Sequence, residues 1–260
     1  MFAKIARLSP LALSALALST SAVLAAPAIG LSGNTTLTMF DTESLEVSGT
    51  MEVTGVDGLA GIDVRPADKM LYGVSLAGEI VTIDTATGVA TVKNTLSEML
   101  PSFEGAIVDF NPMADRLRLM GIEGTNFRVN PDDGVVTVDG SLAFDEGDMH
   151  VGETPTIVAA AYTNSIGKPE ATAMYDIDAT IVALIQQVSP NDGTLATIGK
   201  LGIEGANNSA FDIASTKDLI NTAYLVAGGT LYTIDLDSGA ATDVGAVKGA
   251  ETFHDIAILQ

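Results

Sequence analysis

The stretch Thr230-Leu-Tyr-Thr-Ile-Asp235-Leu-Asp-Ser-Gly239-Ala-Ala-Thr-Asp-Val244, read beside Glu79-Ile-Val-Thr-Ile-Asp84-Thr-Ala-Thr-Gly88-Val-Ala-Thr-Val92, decides the fold. Each copy is an alternating β run, a four-residue polar turn closed by Gly, and a second β run. In such a turn the Asp side chain accepts a bond from a nearby backbone N–H, and Gly supplies the positive φ that ends a type I turn with a bulge. The device recurs at Asn130-Pro-Asp-Asp-Gly134, at Ser189-Pro-Asn-Asp-Gly193 and, without the Gly, at Asp41-Thr-Glu-Ser-Leu45. All five turns begin with Asp, Asn or Ser.

Working outward, a second recurring strand precedes each hairpin. It reads Gly61-Ile-Asp63-Val-Arg-Pro66, Val108-Asp109-Phe-Asn-Pro112, Ala159-Ala-Ala-Tyr162-Thr-Asn164, Phe211-Asp212-Ile-Ala214 and His254-Asp255-Ile-Ala-Ile258. A further short β run, such as Leu71–Ser75 or Leu117–Met120, lies between this strand and the hairpin. The unit is therefore four antiparallel strands, recurring at intervals in the forties to low fifties, the period of a propeller blade. The ends are complementary: Ile29 to Val53 supplies the last three strands of a unit, and Phe253 to Leu259 supplies only a first strand. Joined, they close a ring and leave no free radial edge. The expected fold is an all-β, five-bladed propeller in one domain over 26–260, with a two-sheet sandwich as the weaker alternative. The only helix candidate, Ile177 to Val188, is read as a strand from the turn that follows it and the register of the other units.

Met1 to Arg7 carries Lys4 and Arg7, and an Ala/Leu/Ser run follows, ending in Val23-Leu24-Ala25. This reads as a secretory signal peptide over 1–25 with cleavage after Ala25, so a periplasmic or extracellular location is expected. Pro10, Ser14, Ser19, Thr20 and Ser21 make the run too weakly apolar for a stable span, and no membrane span is expected after cleavage. Removal of the leader takes away two cations and no acid, moving the formal charge from −21 to −23. With a pI near 4.1 the chain cannot offer the basic stripe that phosphate backbones require, so nucleic-acid binding is excluded. The absence of Cys removes disulfides, thiolate catalysis and Cys-ligated zinc. At 47% hydrophobic and 17% charged residues, the composition is that of a packed globular protein. A monomer is expected.

The residues also carry a resemblance. Asp109-Phe-Asn-Pro-Met-Ala-Asp-Arg-Leu-Arg118, followed by Gly124-Thr-Asn-Phe-Arg-Val-Asn-Pro131, then Ala159–Asn164 and Asn191-Asp-Gly-Thr-Leu195, resembles the bacterial domain-of-unknown-function 4394 family over essentially the whole mature chain. The resemblance implies an exported propeller-like domain and brings no activity or catalytic residue with it. The run Asp145-Glu-Gly-Asp-Met-His150 is more acidic than the family's usual small-residue stretch, so what is inferred from it is specific to this chain.

Several constellations could carry chemistry. Four of the five innermost strands hold an Asp at what reads as the matching position: Asp63, Asp109, Asp212 and Asp255, with Ala160 or Ala161 in the fifth. Carboxylates gathered at one axis need cations, protonation or donors to coexist. One reading is a channel site for a cation, with calcium the natural guest of an all-oxygen site. The other, with the stronger prior, is that each Asp ties down the backbone of its own blade. Asp57, Glu104, Glu153, Glu204 and Glu251 precede these strands and form a candidate ring around one channel mouth. Arg116, Arg118 and Arg128 cluster in the second unit. They are candidates for an anion clamp or, preferably, for structural ion pairs with Asp109 and Asp115. His150 and His254 are the only histidines and are weak metal-site evidence.

The favoured function is a non-enzymatic exported binding or scaffold propeller that takes a cation, a cationic small molecule or a basic protein surface. No cofactor beyond calcium is implied. The first alternative is a glycoside hydrolase using axial carboxylates, against which stand the absent Trp and 5% aromatic content. The second is a structural component of the cell envelope.

Overall fold

Inner strands buried on both faces and outer strands half exposed build the sheets. The computed structural model describes residues 26–259, and the expected leader at 1–25 lies outside the described residues. Strands β1 (Pro27–Ser32), β2 (Thr36–Asp41) and β3 (Val47–Glu52) come first. Blade one is β4 (Leu59–Val64), β5 (Leu71–Ser75), β6 (Glu79–Ile83) and β7 (Ala90–Thr95). Blade two is β8 (Ile107–Asn111), β9 (Arg116–Met120), β10 (Asn126–Val129) and β11 (Val136–Val138). The short β12 (Ala143–Phe144) is followed by blade three: β13 (Ile157–Tyr162), β14 (Met174–Asp178), β15 (Ala183–Ser189) and β16 (Thr194–Lys200). Blade four is β17 (Ser209–Ser215), β18 (Asn221–Ala227), β19 (Thr230–Ile234) and β20 (Ala241–Ala246). After one 3-10 turn at Ala250–Thr252, β21 (Phe253–Ile258) pairs antiparallel with β1, giving a closing blade of order β21-β1-β2-β3.

The innermost strands touch in the cycle β4, β8, β13, β17, β21 and back to β4. The protein is a five-bladed β-propeller, closed as the two partial units of the sequence predict. Blade three departs from the expected pattern in two ways. It gains a fifth strand, because β12 runs parallel to its outer strand β16. Its segment 177–188 is not one strand but the end of β14, a turn and most of β15. Asp178 makes that turn: its Oδ1 accepts from the amides of Thr180 at 2.8 Å and Ile181 at 3.0 Å, and Val182 takes φ 48°.

Each pair of neighbouring blades encloses its own apolar cluster, five in all. The period-2 geometry of a strand divides its side chains between the two neighbours. In β18, Ala223, Leu225 and Ala227 pack toward blade three, while Tyr224 and Val226 pack toward the closing blade.

The outer hairpin glycines serve two purposes. Gly88 has φ 74°, and a Cβ there would sit 2.3 Å from the Glu52 carbonyl oxygen of the preceding blade. Gly239 has φ 79°, and a Cβ would lie 2.5 Å from the Gly199 carbonyl. The turn therefore needs Gly both for its left-handed backbone and for contact with the neighbouring blade. The closing blade does without: Leu45 adopts φ 60° and packs its side chain against the apolar cluster shared with blade four.

Candidate functional site

Asp63 on β4, Asp109 on β8 and Asp212 on β17 converge at the propeller axis. One carboxylate oxygen from each lies within 4.8 Å of the others, and all three side chains are buried. Their hydrogen bonds run across the blades. Asp63 Oδ1 accepts from the following amide, Val64, at 2.6 Å, and Oδ2 accepts from Phe110 of blade two at 2.6 Å. Asp109 Oδ1 accepts from the Tyr162 amide of blade three at 3.0 Å. Asp212 accepts from Ile213 at 2.6 Å and from Ile258 of the closing blade at 2.6 Å. These carboxylates do not tie down their own blades alone; they clasp each blade to the next.

Asp255 obeys the same rule at another height. Its Oδ2 accepts from Ile62 of blade one at 2.7 Å and its Oδ1 from Ile256 at 3.0 Å. Asp63 bonds the amide just after Asp109, whereas Asp255 bonds the amide just before Asp63. The contact of Asp212 with Ile258 puts Ala257, not Asp255, level with the other three. Asp255 is level with Gly61, where a Cβ would come within 2.8 Å of its Oδ2. β21 carries its Asp two residues before the shared level, directly after a β-bulge in which Leu31 and Ser32 pair with Asp255 and Phe253 and His254 is the extra residue. The axis thus carries three carboxylates at one level and a fourth one pleat away.

Blade three has Ala161 at the aligned position, since the next amide, that of Tyr162, donates to Asp109. A neutral network joins it to blade four instead. The amide of Asn164 donates to Asn221 Oδ1 at 2.8 Å, that of Ser165 to Ser215 Oγ at 2.9 Å, and Asn221 Nδ2 to Asn164 Oδ1 at 2.9 Å.

Burial drives the electrostatics. It raises the carboxyl of Asp63 well above the ordinary range, with the Asp212 charge adding to it. Asp109 is raised likewise, by burial and then by Asp63 and Asp212. Asp255 is also raised by burial, and Asp212 is lifted to about 6. The amide donors pull the other way without winning. Beside Asp63 and Asp212 lies a cavity of about 20 Å³, also lined by Lys69 and Ser165, with room for one water-sized particle.

On the face where the inner strands begin, the axis opens into a funnel of about 570 Å³. Of the proposed mouth acids, Glu104 lines it. Glu204 lines a separate groove with Tyr232 and Asp243. Glu153 sits 3.2 Å from His150 Nδ1, and Asp57 is exposed. The Glu251 side chain lies outside the described residues.

The arginines are engaged by partners other than those expected. Arg118, 2% exposed, donates to Asp139 Oδ2 at 2.8 Å, Asn126 Oδ1 at 2.7 Å, Tyr162 Oη at 3.2 Å and Asn191 Oδ1 at 3.2 Å. Arg128 forks onto Asp139 at 2.9 and 3.0 Å. Asp115 is taken by Arg65 through two bonds of 2.7 and 2.8 Å, which hold its carboxyl below the ordinary range. Arg116 donates to the Asp115 carbonyl at 2.8 Å. Asp109 pairs with none of them among the described residues. The turn that delivers Asp139 follows β11, and nothing in its sequence marks it as the partner of two arginines.

One buried pair has no sequence signal at all. Gln187 Nε2 donates to Asp176 Oδ2 at 3.0 Å in blade three, leaving Asp176 Oδ1 and Gln187 Oε1 buried and unpartnered. Two orphaned acceptors in one buried place favour the protonated acid, and burial raises that carboxyl to about 7. His150 packs its ring 5.6 Å from that of Phe144, and His254 is held in its neutral form by burial.

Comparison with known proteins agrees with this architecture. Residues 36–257 match the family described as "Domain of unknown function (DUF4394)". No curated protein matches the sequence. A protein of unknown function from Bacteroides thetaiotaomicron is similar in structure at 16% identity and TM-score 0.53, over 92% of this chain and 68% of that one. A chain of a nidogen/laminin complex is similar at 11% identity and TM-score 0.51, over 91% and 98%. A calcium-binding regucalcin from Agrobacterium tumefaciens follows at 16% identity, 91% and 78% coverage and TM-score 0.49. At such identities the first two likenesses speak for the fold alone.

Proposed function

We propose, from the premise that this chain belongs to the DUF4394 family and that the family's description names no activity, that the protein is an exported binding propeller whose axial carboxylates hold a divalent cation. One observation carries the reading: the convergence of Asp63, Asp109 and Asp212 oxygens within 4.8 Å. An ion with oxygen contacts of about 2.4 Å bridges atoms up to about 4.8 Å apart, which is the range of calcium. The donors are hard oxygens only, and each carboxylate oxygen that accepts an amide keeps a second lone pair for an ion. The rival occupant is the proton, which the raised carboxyls attract for the same electrostatic reason.

The two occupants separate by experiment. Mature protein is purified without chelator and analysed for bound metal, and its thermal unfolding is followed in calcium and in EGTA at pH 7.5. The expected result is stoichiometric metal and a midpoint several degrees higher in calcium, with the shift absent in Asp109→Asn. No bound metal and an unmoved midpoint would assign the axis to protons and end the cation reading.

A further inference from the structure

The funnel at the other end of the axis is built separately from the carboxylate cluster. All five blades contribute to its wall, including Asn34 and His254 of the closing blade, Ala60 of blade one, Glu104 of blade two, Val158 of blade three and Asn208 of blade four. Its volume of about 570 Å³ is far beyond an ion and suits a small organic molecule.

Three inner strands break their ladders at this place. Leu59 and Gly61 face Ser75 and Val74, so Ala60 is an extra residue. Ile157 and Ala159 face Asp178 and Ile177, so Val158 is extra. His254 is extra in β21. Each of the three bulged residues lines the funnel. A bulge re-aims a side chain at a cost in ladder bonds, and bulges gather beside ligand sites for that reason. Three that serve one cavity point to a shaped wall rather than to incidental irregularity.

The chemistry of the wall narrows the ligand. Among the described residues no Lys or Arg lines the funnel, so a carboxylate or phosphate finds no counter-charge there. Glu104 is its single acid among the described residues, on a chain of formal charge −21 that concentrates cations around it. The side-chain amides of Asn207 and Asn208 and the hydroxyls of Thr156 and Ser209 supply oxygen acceptors. His254, neutral and with no bond to either ring nitrogen among the described residues, presents an imidazole nitrogen as a further acceptor. Ala60, Val158, Ile122 and the Phe103 ring supply apolar surface for a short hydrocarbon stem.

We infer that this funnel binds a small organic ammonium compound, with the charged head toward Glu104 and His254 and the stem against the bulged Ala60 and Val158. The inference stands apart from the cation reading of the axial cluster, because none of those three carboxylates lines the funnel.

The test is an NMR titration of the mature protein with butylammonium chloride, with glucose and sodium butyrate as neutral and anionic counterparts, followed at the His254 imidazole. Butylammonium is expected to give a saturable shift, and butyrate and glucose none. Glu104→Gln is expected to weaken butylammonium by about threefold to fivefold, the scale of one partly exposed charge pair. Glu43→Gln, the same loss of charge in an exposed hairpin of the closing blade, is expected to change it by less than about twofold. Both positions are exposed, and equal urea midpoints verify that both variants fold as the wild type does. The inference is overturned by no saturable response to butylammonium, by glucose or butyrate binding as well, or by equal weakening in the two variants.

Discussion

The aspartates of the outer hairpins and those of the axis are the same side chain in two environments, and their carboxyls move in opposite directions. Asp235 Oδ1 accepts from the Asp237 amide at 3.0 Å and from the Ser238 amide and hydroxyl at 2.8 and 2.9 Å. Asp84 accepts from Ala86 and Thr87, and Asp41 from Glu43 and Ser44. These hydrogen bonds hold all three carboxyls below the ordinary range. Asp212 also accepts two amides, at shorter distance, yet its carboxyl rises to about 6. Hydrogen bonds lower the carboxyl in both places; at the axis, loss of water and, for Asp63 and Asp109, the neighbouring carboxylates outweigh them. A second difference concerns geometry. The outer Asp uses one oxygen and closes a local turn, while Asp63, Asp212 and Asp255 use both oxygens and join two blades.

The contrast can be broken most strongly at Asp212. Replacing it with Ala strands the buried amides of Ile213 and Ile258, an expected cost of about 3 kcal/mol after relief of charge repulsion offsets part of the loss. Urea unfolding at pH 7 measures it, and a change under about 1 kcal/mol would mean that the clasp is dispensable.

The pH dependence sharpens the same difference. Asp212 and Asp176 have folded values of about 6 and about 7, above an unfolded value of 3.8. Their contribution is full below 3.8 and lost as pH rises through those values. The outer aspartates, lowered on folding, contribute above 3.8 and lose it in stronger acid. In metal-free buffer the protein should therefore be more stable at pH 5 than at pH 8, by on the order of 3 kcal/mol. Urea midpoints at the two pH values check this, and a flat profile would refute it. Within that profile Asp176→Asn is expected to stabilise at pH 8 by about 1–2 kcal/mol, because an amide pair with Gln187 satisfies both orphaned atoms without a proton. At pH 5 the same substitution should be nearly neutral.

The smallest effect is expected at the periphery. Asp235→Asn keeps the one oxygen that accepts all three bonds, so its midpoint should stay within about 0.5 kcal/mol of the wild type. Asn130 already performs that role in blade two, accepting the Asp132 amide at 3.2 Å. Equal damage from Asp235→Asn and Asp212→Ala would erase the distinction between the two sets.

The hairpin repeat was fully legible because each turn is made within five residues: a polar first residue and, in four of the five, a closing Gly. Ring closure was legible too, since the partial units at Ile29–Val53 and Phe253–Leu259 make sense only together. The axial aspartates were visible as a column, but not their levels. Asp255 stands two residues before Ala257, which holds the shared level, and two positions on the same inward face of a strand look alike in an alternating sequence. The Arg118 network escaped for a related reason: Tyr162 and Asn191 are brought to it by packing of blade two on blade three, and Asp139 by the turn after β11.

By itself the sequence determined the strands, the turns and the number of blades, because these rest on interactions between near neighbours and on a periodicity that must close. Only the tertiary structure decided which carboxylates share a level, which arginine meets which acid, and that three bulges face one funnel. Those outcomes depend on register between segments some fifty to two hundred residues apart, and a shift of one residue there moves a side chain to another face at no cost visible in the chain.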